Sequence, residues 1–501
     1  MRGFCSMGGL LLALLLCDVR PVSAQGRDSI AMYGVLDTVQ VVRRRIQHAN
    51  EANAGARVSR IDPEIIQANK TRSMAELLTD YTSVYIKSLG MGALSTASFR
   101  GAGASQTRVN WNGINITPPM SGTFDFSQIP VFFTDNISLY YGSSHVKNGT
   151  GAIGGSVNFF TDPVWQRGVS GKVLGEVGSY GTHTGGGQVN IGTSRASFRT
   201  RYYYQHSDND YTYINKILTN VPFREKRQDA RYTQWAAMQE AYFRLSPYTR
   251  LTTVGWYQEN SRMLPQPLGL VNTSHEKQWE VNARAYAGLD FAKGIHALHL
   301  KAAWLYYRQN YDKWYEGGLF DPEGNRNKSQ TWQAVADYSV APCDNLVADV
   351  TVTYGYDRVR VSSYMDIDSS KYVLGDVIYD IPEVEPPVVA RRNVVSLQAA
   401  VQWSPVAWLA VNGQYMFEQN DSRGVSTGAL GVVANLLGHE LQVKGSVAYN
   451  YRFPSMNDLY WRPGGNPDVR PEKGYSYDMA VSYRKDFNRQ WSFDAEAAGY
   501  R

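Results

Sequence analysis

The stretch LYYGSSHVKNGTGAIGGSVNFFTDP, residues 139–163, decides how the first third of the chain folds. Within it, Gly149, Gly151 and Gly154 have the G-x-G-x-x-G spacing of a dinucleotide-binding loop. Such a loop needs a following helix, whose N-terminal amides hold the pyrophosphate, and an acid about 20 residues further on. Here a strand-like segment follows, and the next acid is Asp162 at a turn. We therefore expect the glycines to form sharp turns and close backbone contacts between short strands.

The N-terminus has the features of a secretory signal peptide. Residues 10–16 are apolar, and residues 22–24 form a small-residue cleavage site. The apolar run is too short to span a membrane. Cys17 suggests a lipoprotein site as an alternative, which the large Leu16 before it disfavours. Of the three cysteines, Cys343 alone would remain in the exported chain, so we expect no internal disulfide.

A period-2 alternation of apolar and polar residues returns throughout the chain after about residue 170. In one example, Tyr475, Tyr477 and Met479 share a face, while Ser476 and Asp478 share the other. With 34 Tyr, 45 Gly and no apolar run long enough for a helical span, this pattern predicts an antiparallel transmembrane β-barrel. A soluble sandwich is the alternative, and it would turn the apolar faces inward. The net charge of +5 does not indicate a nucleic-acid partner. Similar alternation occurs at 295–307, 345–357, 408–419 and 439–453.

The connections along the chain differ in length, as outer-membrane barrels require. SPYTR and APCDN are tight turns, whereas 209–232, 311–330 and 365–387 are predicted long loops. Before the barrel, Asp62 and Pro63 are predicted to start one short helix, and a Ser73–Glu76 capping box a second. The predicted organisation is a signal peptide at 1–24, an N-terminal segment at 25–45, an α/β domain at 46–163 and a barrel at 164–501.

Four sequence blocks, in order along the chain, resemble TonB-dependent outer-membrane receptors. The 139–161 segment is similar to the block that ends their plug domain, and FRGAGASQTRVNWNGI to an earlier plug block, with Asn112 in place of the usual Asp. DTVQVV resembles the TonB box, and YRFPSMNDLYWRPGGNPDVRPE a late-barrel segment. The plug residues that match are Arg100, Gly101, Arg108, Gly113, Tyr141, Gly142, Gly151, Gly154 and Gly155.

The resemblance implies a 22-stranded barrel in the outer membrane of a Gram-negative bacterium, with the plug filling its lumen. TonB, with ExbB–ExbD, would pair with the TonB box by strand addition and supply the energy for import. Since residues 164–501 suffice for roughly 15 strands, we expect the chain to be a C-terminally incomplete barrel. The TonB-box residues are Asp37, Thr38, Val39, Gln40, Val41 and Val42.

The resemblance implies a small-molecule substrate, held by plug loops and external loops. The plug blocks are most similar to vitamin B12 receptors, so cobalamin is favoured and a ferric siderophore is the runner-up. Haem is disfavoured because 452–472 contains no histidine, and His296 and His299 should point to opposite strand faces. No catalytic motif, cofactor or metal site is indicated. A passive porin or adhesin is the alternative function, and a surface lipoprotein partner stays open. The candidate substrate residues are Met91, Leu94, Pro119, Met120, Phe124, Tyr211, Tyr213, Trp235, Trp314 and Tyr315.

Overall fold

The computed structural model describes most of the chain from Arg57 onward. The signal peptide and the predicted TonB box therefore lie outside the described residues, as do Ser143 to Asn148 of the glycine-rich stretch. At positions 323, 363–365, 373–374 and 377–378 only the backbone is described. The described residues are 57–142, 149, 151–216, 222–266, 274–315, 323–365, 373–374, 377–378, 388–421, 423–461, 464–487 and 491–501.

The N-terminal part is a small α/β domain, here called the plug. Both predicted helix starts are confirmed, since the Asp62 side chain accepts from the Glu64 amide and Ser73 and Glu76 form a reciprocal capping box. A five-stranded sheet has the order β1-β6-β7-β4-β5, and β2 and β3 form a separate hairpin. The elements are β1 Arg57–Arg60, α1 Pro63–Ala68, α2 Met74–Tyr81, β2 Tyr85–Ser88, β3 Ser95–Ser98, β4 Thr107–Trp111, β5 Ile114–Asn115, β6 Asn136–Tyr141 and β7 Gly155–Phe160.

The rest of the chain forms an antiparallel sheet of 15 strands, here called the wall. Its order, from β26 to β8, runs β26-β25-β24-β23-β22-β21-β18-β17-β16-β15-β14-β13-β10-β9-β8. Two hairpins, β11–β12 and β19–β20, and a helix, α3, lie in the connections. The elements are β8 Gly168–Gly178, β9 Thr182–Gly192, β10 Ala196–Ser207, β11 Thr212–Asn215, β12 Phe223–Lys226, β13 Tyr232–Ser246, β14 Thr249–Met263, β15 Ser274–Lys293, β16 His296–Tyr315, β17 Glu323–Cys343, β18 Leu346–Met365, β19 Val373–Leu374, β20 Val377–Ile378, β21 Val388–Val406, β22 Leu409–Asn420, β23 Arg423–Leu436, β24 Leu441–Arg452, α3 Met456–Tyr460, β25 Glu472–Asp486 and β26 Ser492–Tyr500.

The two ends of the wall differ. At the end here called the turn end, every connection between neighbouring strands is short, as between β13 and β14 or β17 and β18. The opposite, loop end carries the long connections 208–231, 366–387 and 453–471. One predicted loop is shorter than expected, because β16 and β17 extend into 311–330 and leave 316–322 as the connection. No helix in the described part of the chain is long and apolar enough to cross a membrane.

The wall shows its apolar face to the outside. On β25, Tyr475, Tyr477 and Met479 are 66%, 52% and 61% exposed. On β10, the polar side chains of Arg199 and Arg201 are buried toward the plug, whereas the side chain of the next residue, Tyr202, is exposed on the outside. An apolar outer face around a polar interior is the arrangement of a membrane barrel, and it is the reverse of a soluble sandwich.

The plug packs inside the wall through an aromatic core. The Trp111 ring of β4 lies 5.4 Å, centroid to centroid, from the Trp256 ring of β14. Phe133 in the plug contacts both Trp256 and Tyr203 of β10. All four side chains are almost fully buried. Large aromatic side chains bury much apolar surface, so this contact holds the plug to one side of the wall.

The glycine question is resolved by β7, a strand that starts at Gly155 where a nucleotide-binding loop would start a helix. A Cβ atom on Gly155 would lie 2.4 Å from the Tyr140 carbonyl oxygen. One on Gly154 would lie 2.5 Å from the Ala102 Cβ. Gly151 has a φ of 85°, in the region that favours glycine. The predicted structural role of these glycines is therefore confirmed.

Candidate functional site

A cavity of about 240 Å³, lined largely by polar residue types, lies between the plug and the wall. Its plug side includes β4, the turn after it, the loop through Pro118 and Pro119, and Asn158 of β7. Its wall side consists of β17, β18, β21, β22 and the segment that follows β24. Concave sites at the interface between two domains are preferred positions for small-molecule binding.

The plug loop that lines the cavity is fixed by backbone contacts. Asn112 and Gly113, with φ of 51° and 80°, make the tight turn between β4 and β5. The amide of Met456, at the start of α3, donates to the Pro119 carbonyl at 3.0 Å. The next amide of α3 donates to the Met120 carbonyl at 2.9 Å. The late-barrel block identified from sequence therefore contacts the plug directly.

The cations that face the cavity are compensated by carboxylates. The Arg392 guanidinium donates to Asp357 through Nε and Nη2, at 3.0 and 2.8 Å. Arg452 holds Glu472 in the same two-point manner, at 3.0 and 2.7 Å. Burial lowers the pKa of the Arg108 guanidinium, and the nearby Glu418 carboxylate opposes that shift. The cavity therefore offers little net positive charge to a polyanion.

Neutral amides supply much of the remaining polar surface. Gln333 of β17 donates to the Asn115 carbonyl at 2.6 Å and accepts from the Asn115 amide at 3.2 Å, which ties the plug to the wall. Gln398 of β21 also lines the cavity and is 6% exposed. Within the described residues its Oε1 has no hydrogen-bond partner. A buried acceptor without a partner is costly unless a ligand or water satisfies it.

The matched plug motif residues mostly hold the plug together and against the wall. Arg100 forms an ion pair with Asp478 of β25, and its guanidinium lies 4.9 Å from the Tyr500 ring centroid. A Cβ on Gly142 would lie 2.7 Å from an Asp478 oxygen, so glycine is required beside that pair. The Tyr141 hydroxyl accepts from the Ser83 hydroxyl at 3.1 Å. Gly101 has a φ of 79°.

Asn112, where the resembled block has Asp, is buried and bonded to the end of β7. Its Nδ2 donates to the Thr161 hydroxyl and its Oδ1 accepts from the Thr161 amide, both at 3.0 Å. An amide supplies both a donor and an acceptor, so Asn satisfies this site without a buried charge.

A second set of plug–wall contacts was not predicted from the sequence. Asp135, just before β6, accepts from Arg199 and Arg201 of β10, each at 2.7 Å. Glu240 of β13 completes the cluster, because Arg199 also donates to it at 2.7 Å. The signal available in the sequence was two arginines two positions apart on the lumen face of one strand. A second ion pair joins Asp125 of the plug to Arg262 of β14 at 2.7 Å.

The candidate substrate residues on the plug fall into two groups. Met91 and Leu94, on the β2–β3 loop, are 41% and 40% exposed at the loop end, and Pro119 lines the cavity. Met120 and Phe124 are buried, at 3% and 6% exposure, so they support the loop from beneath.

The candidates on the wall and loops are also separated. Tyr211 and Tyr213 pack edge to face near the β11–β12 hairpin, with ring centroids 6.4 Å apart. Trp235 lies on the outer face of the wall, where it stands 5.2 Å from the Tyr257 ring. Trp314 stacks on His275, and Tyr315 lies under the Lys313 ammonium. The structure does not gather these residues into one site, and their role in binding stays a prediction.

The predicted histidine geometry is seen in the structure. His299 is buried and its Nδ1 lies 2.7 Å from Asp290, whereas His296 lies 2.7 Å from the Tyr338 hydroxyl on the outer face. The two rings therefore face opposite sides of β16. Among the described residues, no cluster of His, Cys, Asp and Glu has the arrangement of a metal site.

A plug packed inside a wall of antiparallel strands, with a cavity between them, is the architecture of plugged β-barrels. Residues 50–156 match the TonB-dependent receptor plug domain, and residues 106–501 match the TonB-dependent receptor-like β-barrel. The chain belongs to the TonB-dependent receptor family, whose fold is a transmembrane β-barrel with an N-terminal plug.

Among its relatives, Vitamin B12 transporter BtuB of Photobacterium profundum is 24% identical over 433 residues, which cover 86% of this chain and 64% of that protein. The chain thus spans less than two thirds of that relative. The Copper transporter OprC has a similar solved structure, with a TM-score of 0.70, 14% identity and coverage of 88% of this chain and 70% of that one. The solved structure of the siderophore receptor PirA from Acinetobacter baumannii is also similar, with a TM-score of 0.65 and 15% identity. The match covers 87% of this chain and 69% of that one. At these identities the solved structures show the fold alone.

Proposed function

We propose that this chain is a receptor of the bacterial outer membrane that binds cobalamin between plug and wall and imports it into the periplasm. The import would be driven by TonB with ExbB–ExbD through the box at residues 37–42. The observation that carries the proposal is the cavity formed jointly by plug and wall, whose volume of about 240 Å³ can admit amide side groups of cobalamin while the rest of the molecule lies outside it. A ligand bound there contacts the element that must move for transport, so binding and plug release are coupled.

The cavity chemistry favours cobalamin over a ferric siderophore. Cobalamin carries several amide side groups, which both donate and accept hydrogen bonds. Gln398 offers such a group a buried Oε1 acceptor without a partner among the described residues, whereas Gln333 is already bonded to the Asn115 backbone. A ferric siderophore of the anionic kind would need unpaired cations, whereas Arg392 and Arg452 are each engaged by a carboxylate. The curated relatives named vitamin B12 transporters support the same choice.

Labelled cobalamin binding to outer membranes that contain the complete chain tests the proposal. Gln398→Leu removes the unsatisfied acceptor and should weaken binding by about 3- to 10-fold, the effect of one hydrogen bond. Gln402→Leu is a matched control, because Gln402 lies four residues further along β21, has the same unsatisfied Oε1 and does not line the cavity. Equal effects of both variants would place cobalamin elsewhere. Binding of a ferric siderophore but not of cobalamin would transfer the assignment to the siderophore.

A further inference from the structure

A cluster of cations lies on the outer face of the wall near its loop end. We call Arg308, Lys328, Arg358, Arg360 and Arg391 the basic patch. Arg308 of β16 is directly opposite Lys328 of β17, and Lys328 is directly opposite Arg360 of β18. One step nearer the turn end, Arg358 is directly opposite Arg391 of β21. Directly opposed residues have their Cβ atoms about 5 Å apart, and like charges there repel.

These side chains point away from the lumen. Residues of β18 alternate between the two faces of the wall. Asp357 and Val359 are buried toward the interior, whereas Arg358 and Arg360 are exposed on the outside. Lys328 and Arg391 are exposed in the same alternation on their own strands. The patch therefore plays no part in the cavity between plug and wall.

The patch lies at the level of a membrane interface. Two residues before Arg358, on the same face of β18 and nearer the turn end, Tyr356 belongs to a row of aromatic side chains. In this row Tyr356 is opposite Trp332, and Trp332 is opposite Trp304. The Trp332 and Tyr356 rings are 5.6 Å apart. Aromatic rows mark the boundary between lipid tails and headgroups in barrels. Side chains one or two steps beyond that row reach the headgroups.

Carboxylates on the same outer face have other partners. Asp312 is paired with Arg326. Glu259 accepts from Trp235 and Tyr257, at 2.9 and 2.8 Å. In the portion of the chain that the structure describes, no carboxylate forms an ion pair with the Lys328, Arg358, Arg360 or Arg391 side chain. Arg308 lies against the Trp279 ring, 4.2 Å from its centroid.

We propose that the basic patch binds the phosphate groups of a bisphosphorylated glycolipid in the outer leaflet. The patch crosses four strands, about 14 Å at the usual strand spacing, which suits a headgroup with two separated phosphates. Guanidinium groups bind phosphate through paired, charge-assisted hydrogen bonds. Phosphates between the opposed cations would relieve their mutual repulsion. The proposal rests on the proposed outer-membrane location and is independent of the transported substrate.

The test is equilibrium binding of bisphosphorylated lipid A, and of the same lipid after enzymatic dephosphorylation, to the complete chain in a mild uncharged detergent. The patch variant Lys328→Gln/Arg358→Gln/Arg360→Gln/Arg391→Gln should bind the phosphorylated lipid about 1,000-fold more weakly than the wild type. Removal of the phosphates should weaken binding to the wild type to a similar extent.

The control variant Lys293→Gln/Arg224→Gln/Lys226→Gln/Lys473→Gln removes four exposed cations outside the patch and should retain lipid binding. The double variant Arg358→Gln/Arg391→Gln gives an intermediate loss if the four-site variant does not fold. Equal binding of both lipids by the wild type, equal losses in patch and control variants, or displacement by equimolar inorganic phosphate would overturn the proposal. Cobalamin binding by the same samples is measured in parallel, because its retention without lipid binding refutes the lipid site alone.

Discussion

Replacement of Asp135 by Asn should loosen the plug more than any other single charge removal at its surface. Asp135 faces the buried guanidinium groups of Arg199 and Arg201, which are 3% and 0% exposed as side chains. Burial alone would raise the pKa of Asp135, but the two arginines hold that pKa well below its usual range. The carboxylate is therefore charged at neutral pH and balances charges that water does not reach.

The magnitude follows from the charges in the cluster. Arg199 and Arg201 both form ion pairs with Asp135 and Glu240, so the substitution leaves two buried guanidinium groups with one carboxylate of this cluster. Removal of one partner from a buried ion pair costs about 3–5 kcal/mol. An asparagine Oδ1 can still accept from the Asp162 amide, so the substitution removes the negative charge and keeps this hydrogen bond.

Amide hydrogen exchange in the plug strands β6 and β7 measures this cost. A loss of that size should speed exchange through plug opening by about 100- to 4,000-fold, since each 1.4 kcal/mol is a factor of ten. Glu64→Gln, at an exposed position of α1, should change exchange by no more than about threefold. An acceleration of less than tenfold in Asp135→Asn would refute the view that this cluster anchors the plug.

Three further predictions concern the plug and its contacts. Burial lowers the pKa of Lys70 to about 7, against 10.5 for the free side chain, so the folded plug holds fewer protons than the unfolded plug between those values. Urea denaturation should therefore show stability rising from pH 7 to 10, by up to about 1.4 kcal/mol per unit, with no such slope in Lys70→Met. Gly155→Ala would place a Cβ 2.4 Å from a backbone oxygen, and should lower plug stability in the same assay by about 1–3 kcal/mol. The control Gly175→Ala, where no atom lies within 4 Å, should not. Trp256→Ala should destabilise the plug by about 3–5 kcal/mol, measured by proteolysis under mild urea, whereas the outward-facing Trp332→Ala should leave plug protection unchanged.

Much of the fold was predictable because local rules agree with the tertiary structure. Strand alternation such as that of Tyr475, Tyr477 and Met479 fixes which face is outside, and the Ser73–Glu76 box fixes a helix start. The length of β16 and β17 was underestimated, because these strands continue beyond the apolar band, where no hydrophobic pattern marks them.

The site was less predictable, because it depends on which strands meet which plug loop. No local pattern shows that Gln333 meets the backbone of Asn115, more than 200 residues earlier. Aromatic residues chosen by position in loops, such as Trp235, proved to include members of the outer face. The Asp135 cluster likewise joins residues whose pairing is set only by docking of the plug.

The central claim is energy-coupled import, and uptake of labelled cobalamin by cells that express the chain tests it most directly. Three samples are compared: the wild type, the wild type with the proton gradient dissipated, and a variant that lacks residues 37–42. Energy-coupled import predicts surface binding in all three samples, with accumulation in the periplasm only in the energised wild type. Equal accumulation in all three samples would contradict energy-coupled import and identify the chain as a passive barrel.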